Sequence, residues 1–209
     1  MAQKREPAWV TKADRISIGI VTVGALVVAA GILISFVVTT VGQLSSGEIT
    51  FPVFTGAPVP AGEFGAEKGL VDASYTEASV TASGLSTFPV AAFITAHAVN
   101  TLTGLLVALA LAFMGWRLLK GDPFRKSVVY SSLVAASALI LGPFIALLAS
   151  VTATTRALVE IAGPRDGRPE LIFSAELNLA PVLVGLALAV VLGVFEYGQK
   201  IKADTDGLV

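Results

Sequence analysis

Few side chains in the apolar stretches of this chain can do chemistry. Each is a candidate site, because a polar group in an apolar medium is costly unless it has a partner. His97 and Asn100 are three residues apart, about one turn into an apolar run from its start, and Glu176 and Asn178 stand at the start of another. A histidine there can relay a proton or bind a metal, but His97 is the only histidine and a metal site needs several convergent ligands. The reading adopted is an interhelical hydrogen bond for His97, with Asn100 and Asn178 as further intramembrane polar contacts. Near the end, Glu196 precedes Lys200 by four residues, the favourable order for a helical ion pair. Asp204 and Asp206 look like a metal-binding pair but read as solvated charge in an unstructured tail. Phosphate loops, nucleophile elbows, zinc motifs and carboxylates paired in a pocket are absent from the sequence, so the expectation is a non-enzymatic protein without a cofactor. The lack of cysteine excludes disulfides, thiolate metal sites and iron–sulfur ligation.

The elements that hold these residues follow from the charge distribution. Of 209 residues, 55% are hydrophobic and 14% charged, with a mean hydropathy of +0.81, well above ordinary soluble domains. Charge-free runs at Ile16–Val41, Val90–Trp116, Val128–Ala153 and Leu177–Phe195 are long enough to cross a bilayer. The first would be ~39 Å long as a helix, too long for a signal peptide. A bilayer interior gives the backbone no hydrogen-bond partner, so spans of this kind must be helices. The expected fold is an all-α membrane protein, a four-transmembrane-helix bundle with a small β-hairpin-like extracytoplasmic cap.

Direction comes from the basic residues. Lys4, Arg5, Lys12 and Arg15 precede the first span, Arg117, Lys120, Arg125 and Lys126 separate the second from the third, and Lys200 and Lys202 follow the fourth. The positive-inside rule puts residues 1–15, 117–127 and 196–209 in the cytoplasm, with Trp9 and Trp116 near the inner interface. Residues 42–89 and 154–176 are then extracytoplasmic, and their acids Glu48, Glu63, Glu67, Asp72 and Glu77 agree with that. No basic tract suggests nucleic-acid binding. The central parts of the spans carry no charge, which argues against a transporter or channel.

Helices in lipid associate through small residues that let backbones approach. Ala96, Asn100, Gly104, Ala108 and Ala112 line the second span at intervals of four; Ala138, Gly142, Ala146 and Ser150 line the third; Gly185, Ala189 and Gly193 the fourth. The first has only Ala25 and Ala29, so it should be the least engaged. Pro143 in the third span removes the donor to Leu139 and should kink the helix, as shape-fitting or as a hinge.

Ile49–Phe54 and the alternating stretch through Val71, Ala73, Tyr75 and Val80 read as two strands, with turn residues Pro58, Pro60, Gly62 and Gly65 between them. A lone hairpin is marginal and must lean on helix ends or on a partner. The loop after the third span should first continue that helix and break at Gly163-Pro164.

The loop Lys120-Gly-Asp-Pro-Phe-Arg-Lys126 and the ending from Val194 to Val209 resemble the two hallmarks of the domain-of-unknown-function family 2975, bacterial membrane proteins with four spans. Gly121, Pro123 and Phe124 match the family's loop, and Phe195, Gly198, Asp204, Asp206 and Leu208 match its tail. An extra Gly207 departs from the pattern, and the likeness covers the layout and roughly the last ninety residues. The resemblance implies a membrane partner that holds or releases a small helix-turn-helix regulator, with those eight residues as the candidate partner-binding set. The same loop also reads as a tight turn in which Phe124 anchors at the interface and Asp122 caps the next helix. Function is therefore expected to be regulatory or accessory, through a protein partner at the cytoplasmic face. The rival is a small accessory subunit of a larger membrane complex.

Overall fold

The computed structural model describes residues 12–54, 77–121, 126–162 and 178–206. Four helices and one hairpin follow in order: α1 (Lys12–Ser46), β1 (Glu48–Phe54), β2 (Glu77–Ser83), α2 (Thr87–Leu119), α3 (Lys126–Ala162) and α4 (Ala180–Asp206). All four helices are long and apolar enough to cross a membrane, and in none is more than 22% of the most apolar stretch buried. Large apolar side chains such as Val27, Leu148 and Val190 therefore stand exposed along them.

α1, α2 and α3 outrun their charge-free stretches at both ends and α4 at its C-terminal end, because caps and not apolarity decide where a helix ends. α1 closes when Gly47, at φ +66°, turns its N–H back to the Gln43 carbonyl at 3.1 Å, which delivers the chain to β1 at Glu48. α2 closes on Gly121 at φ +76°, whose N–H donates to the Leu118 carbonyl at 3.0 Å. α3 stays helical through Pro143 and ends at Ala162, directly before the expected break. α4 continues through Asp206, so the tail read as unstructured is helical to that residue; only Gly207, Leu208 and Val209 lie outside the described residues.

By its internal contacts the chain forms two compact units, Met1–Val38 with His97–Ile145 and Asn178–Val209, and Thr39–Ala96 with Ala146–Leu177. In the first, α1 and α2 are antiparallel neighbours, as are α2 and α3. Thr22 fills the space over Gly115, and Thr103 the space over Gly142, so a Cβ at either glycine would collide with a threonine Oγ1. Each hydroxyl is satisfied within its own helix, Thr22 donating to the Ile18 carbonyl at 2.7 Å and Thr103 to the Val99 carbonyl at 2.9 Å. At Gly185 of α4 a Cβ would stand 2.9 Å from both Ile140 Cγ1 and Leu139 Cβ. The expected seams are thus used in part. Ala108, Ala112, Gly142, Ala146 and Gly185 are buried, whereas Asn100 is exposed and Gly193 has open space around it. Ala29 is the only buried residue of α1.

In the second unit β1 and β2 pair antiparallel, from Glu48 opposite Ser83 to Phe54 opposite Glu77. Of the stretch expected to form the second strand, Val80 lies in β2; Val71, Ala73, Tyr75 and the turn residues Pro58, Pro60, Gly62 and Gly65 lie outside the described residues. With a period of two, Ile49 and Phe51 face inward with Ala82 and Val80, while Thr50 and Thr81 meet on the other face with hydroxyls 2.9 Å apart. The inward face packs on Val90 and Phe93 of α2 and on Ala157 and Leu158 of α3. Phe51, 1% exposed, stacks on Phe93 at 5.1 Å between ring centroids. The hairpin leans on helix ends, which gives two strands the packed face they need.

Gly142→Ala should destabilise the protein in detergent by about 1–3 kcal/mol, the usual range for overpacking, and adding Thr103→Ala should recover most of that loss. Thermal unfolding of the four members of this double-mutant cycle measures the coupling; simple additivity would refute the Thr103–Gly142 contact.

Candidate functional site

The polar residues picked out in the sequence do not converge. His97 is half-buried and faces α1, its ring stacked on Phe36 with centroids 5.4 Å apart and planes 24° from parallel. Its Nε2 is shut away from solvent with no hydrogen-bond partner. The contact His97 makes between helices is therefore a ring stack, where a hydrogen bond was expected. One turn later Asn100 is exposed. Asn178 is exposed as well and serves as the N-cap of α4, its Oδ1 accepting the Ala180 N–H at 3.0 Å. The first amides of a helix lack partners inside it, and this local need claims the side chain that the sequence had offered for a contact between helices. Glu176 lies outside the described residues.

A carboxylate the sequence reading passed over has a well-defined role. Ser86 precedes α2, and both its N–H and its Oγ–H donate to the carboxylate of Glu160 on α3, the N–H at 2.8 Å to Oε2. In a capping box the third residue of the helix supplies that acceptor. Here the third residue is Pro89, so α3 supplies it instead. A serine cap with proline where the box needs Glu or Gln, and Glu160 as the only acid from Val128 to Ile161, were the signals available. The Arg156 guanidinium lies 5.9 Å from the centre of the Phe88 ring.

Another grouping closes α2. Lys120 Nζ stands 3.7 Å from the centre of the Trp116 ring, and the Arg117 guanidinium carbon lies 5.4 Å from that ring and 5.1 Å from the Phe113 ring. Two cations thus share one indole. Arg117 Nε and Ser127 Oγ are buried without hydrogen-bond partners.

Of the eight residues matched by the family resemblance, Gly121 has the left-handed backbone that a tight turn at this point requires, while Pro123, Phe124 and Leu208 lie outside the described residues. Phe195, Gly198, Asp204 and Asp206 all belong to α4. Gly198 is half-buried, and nothing lies within 4 Å of a Cβ built there. Glu196 and Lys200 are exposed on the same helix. Among the described residues, no three His, Asp or Glu side chains are grouped so as to hold a metal ion.

His97→Phe keeps the stack on Phe36 and removes the unpartnered nitrogen. Its unfolding midpoint in detergent should equal or exceed the parent's, since an unsatisfied buried polar atom costs about 1–3 kcal/mol. A clear loss of stability would mean that the imidazole has a hydrogen-bond partner after all.

Compared with protein-family models, with curated proteins and with solved structures, the chain finds no match.

Proposed function

We propose that this chain is a four-span protein of a bacterial cell membrane, with both termini in the cytoplasm, and that it acts without catalysis by holding a protein partner at its cytoplasmic face. The membrane reading is supported by four helices whose long apolar surfaces are left uncovered by the rest of the chain, an arrangement that lipid favours and water does not. The orientation rests on the basic residues around Arg117 and Lys200.

The partner reading is carried by one observation: α4 does not stop with its apolar run but continues as helix to Asp206, through Glu196 and Lys200. The eleven helical residues from Glu196 to Asp206 extend ~16 Å, so the tail offers an ordered rod. Together with the resemblance of the 120–126 loop and the tail to the family named above, this favours a soluble helix-turn-helix regulator as the partner. A second reading, an accessory subunit of a larger membrane complex, is favoured by α1. Beyond the helix's own neighbouring backbone, nothing lies within 4 Å of a Cβ built at Gly24 or Gly31, and open small-residue positions suit contact with other membrane helices.

Because the chain has no cysteine, single cysteines report topology cleanly. Thr81→Cys, on the exposed face of β2, should react in intact cells with a maleimide that cannot cross the membrane, and Lys200→Cys only after lysis. The reverse pattern would invert the orientation.

Affinity purification from native membranes in mild detergent, with mass spectrometry of what is retained, tests the partner. Capture of a small helix-turn-helix protein that is lost when Phe124 and the last six residues are altered is the expected result. A stoichiometric large membrane complex would overturn it in favour of the accessory subunit.

A further inference from the structure

We infer that the end of α2 is a binding site for an anionic phospholipid, its phosphate held between Arg117 and Lys120 and its acyl chain laid along the apolar face that leads to them. The inference rests on the membrane reading above and adds a ligand to it.

The head of the site is a concentration of positive charge. From Gly115 to Tyr130 the chain carries Arg117, Lys120, Arg125 and Lys126 against one acid, Asp122. Arg117 and Lys120 are gathered on the Trp116 ring, and a guanidinium or ammonium held on an aromatic face keeps outward-facing N–H donors for an anion.

The body of the site is apolar and continuous with that head. Leu102, Leu109, Phe113 and Trp116 follow at spacings of seven, four and three residues, which places all four on one face of α2, and Lys120 follows in the turn directly after the helix, its Nζ over the Trp116 ring. Leu102, Leu109 and Trp116 are 56%, 49% and 45% exposed. An apolar track ending in an amphipathic indole and two cations has the order of parts of a phospholipid: chain, interface, phosphate. Free phosphate would engage only the cations and leave the track unused, and a zwitterionic lipid would bring its own cation to a site that already has two. The charge and the track together select an anionic lipid.

The test reads Trp116 directly. A Trp9→Phe variant of the full chain has Trp116 as its only tryptophan, and bromine on a lipid chain quenches a tryptophan that it touches. The variant is reconstituted into mixtures of phosphatidylglycerol and phosphatidylcholine in which one or the other is brominated near the carbonyl end of its chains. Brominated phosphatidylglycerol should quench more strongly at equal mole fraction. The derived preference should fall by up to about five-fold for each cation removed, in Lys120→Gln and in Arg117→Gln, as expected for roughly 1 kcal/mol per basic residue at an anionic surface. Lys120 is exposed, so its variant keeps the test valid if Arg117→Gln fails to fold. Equal quenching by the two lipids, or a preference unchanged in the Lys120 variant, would overturn the proposal. A preference abolished by inorganic phosphate at constant ionic strength would assign the site to a free anion instead. Absence of quenching by either lipid would bring down the membrane reading itself, and the lipid site with it.

Discussion

The helical unit depends on how closely helix backbones approach where a threonine meets a glycine. Thr22 against Gly115 ties α1 to α2, and Thr103 against Gly142 ties α2 to α3. Among apolar helices with little hydrophobic drive between them, close van der Waals contact is the main attraction available. A β-branched side chain with few rotamers suits that contact, because little entropy is lost on fixing it. Its hydroxyl is an asset only because it turns back to a carbonyl four residues earlier, leaving no polar atom unsatisfied at the interface. Ser132 is the exception, its hydroxyl directed across to Met114 Sδ at 3.2 Å.

The same demand for satisfied polar groups governs the ends of the elements. Gly47, Ser86 with Glu160, Gly121 and Asn178 each close a helix by supplying the partner that its terminal amides or carbonyls lack. The Ser86–Glu160 pair goes further, since its two residues are 74 apart in sequence, one directly before α2 and the other on α3. It fastens the start of α2 to the end of α3 beside the floor on which Ile49 and Phe51 of the hairpin pack. The cap of one helix and the footing of the sheet are therefore one construction.

How much of this was legible in the sequence depends on the range of the determining interaction. Four helices could be read from charge-free runs, because span length and the satisfaction of backbone groups within a segment are local facts. β1 and the Val80 part of β2 could be read from the residue pattern, but the pairing register could not, since it is set by what sits opposite Ile49 and Phe51 over distant helices. Counting small residues found Gly142 and Gly185 but missed Gly115, because it ignored the threonines that fill such notches. His97 and Asn178 were recognised as unusual, yet their roles were not: a neighbouring phenyl ring decided one and a helix end the other. Glu160 stayed unnoticed because its partner is remote in sequence.

These assignments bear on where the protein acts. Asn178 and Glu160 are engaged at helix ends and His97 in a stack, so these three side chains are committed to structure. The surfaces on which the proposed recognition rests lie past the apolar stretches, at the close of α2 and along the last turns of α4. A helix that is already formed gives a partner an ordered surface, and binding it avoids the roughly 1–2 kcal/mol per residue needed to order a loose backbone. With an unstructured tail, much of the interaction energy would go into folding the tail. A helical α4 leaves that energy for selectivity, which the proposed holding of a protein partner would use.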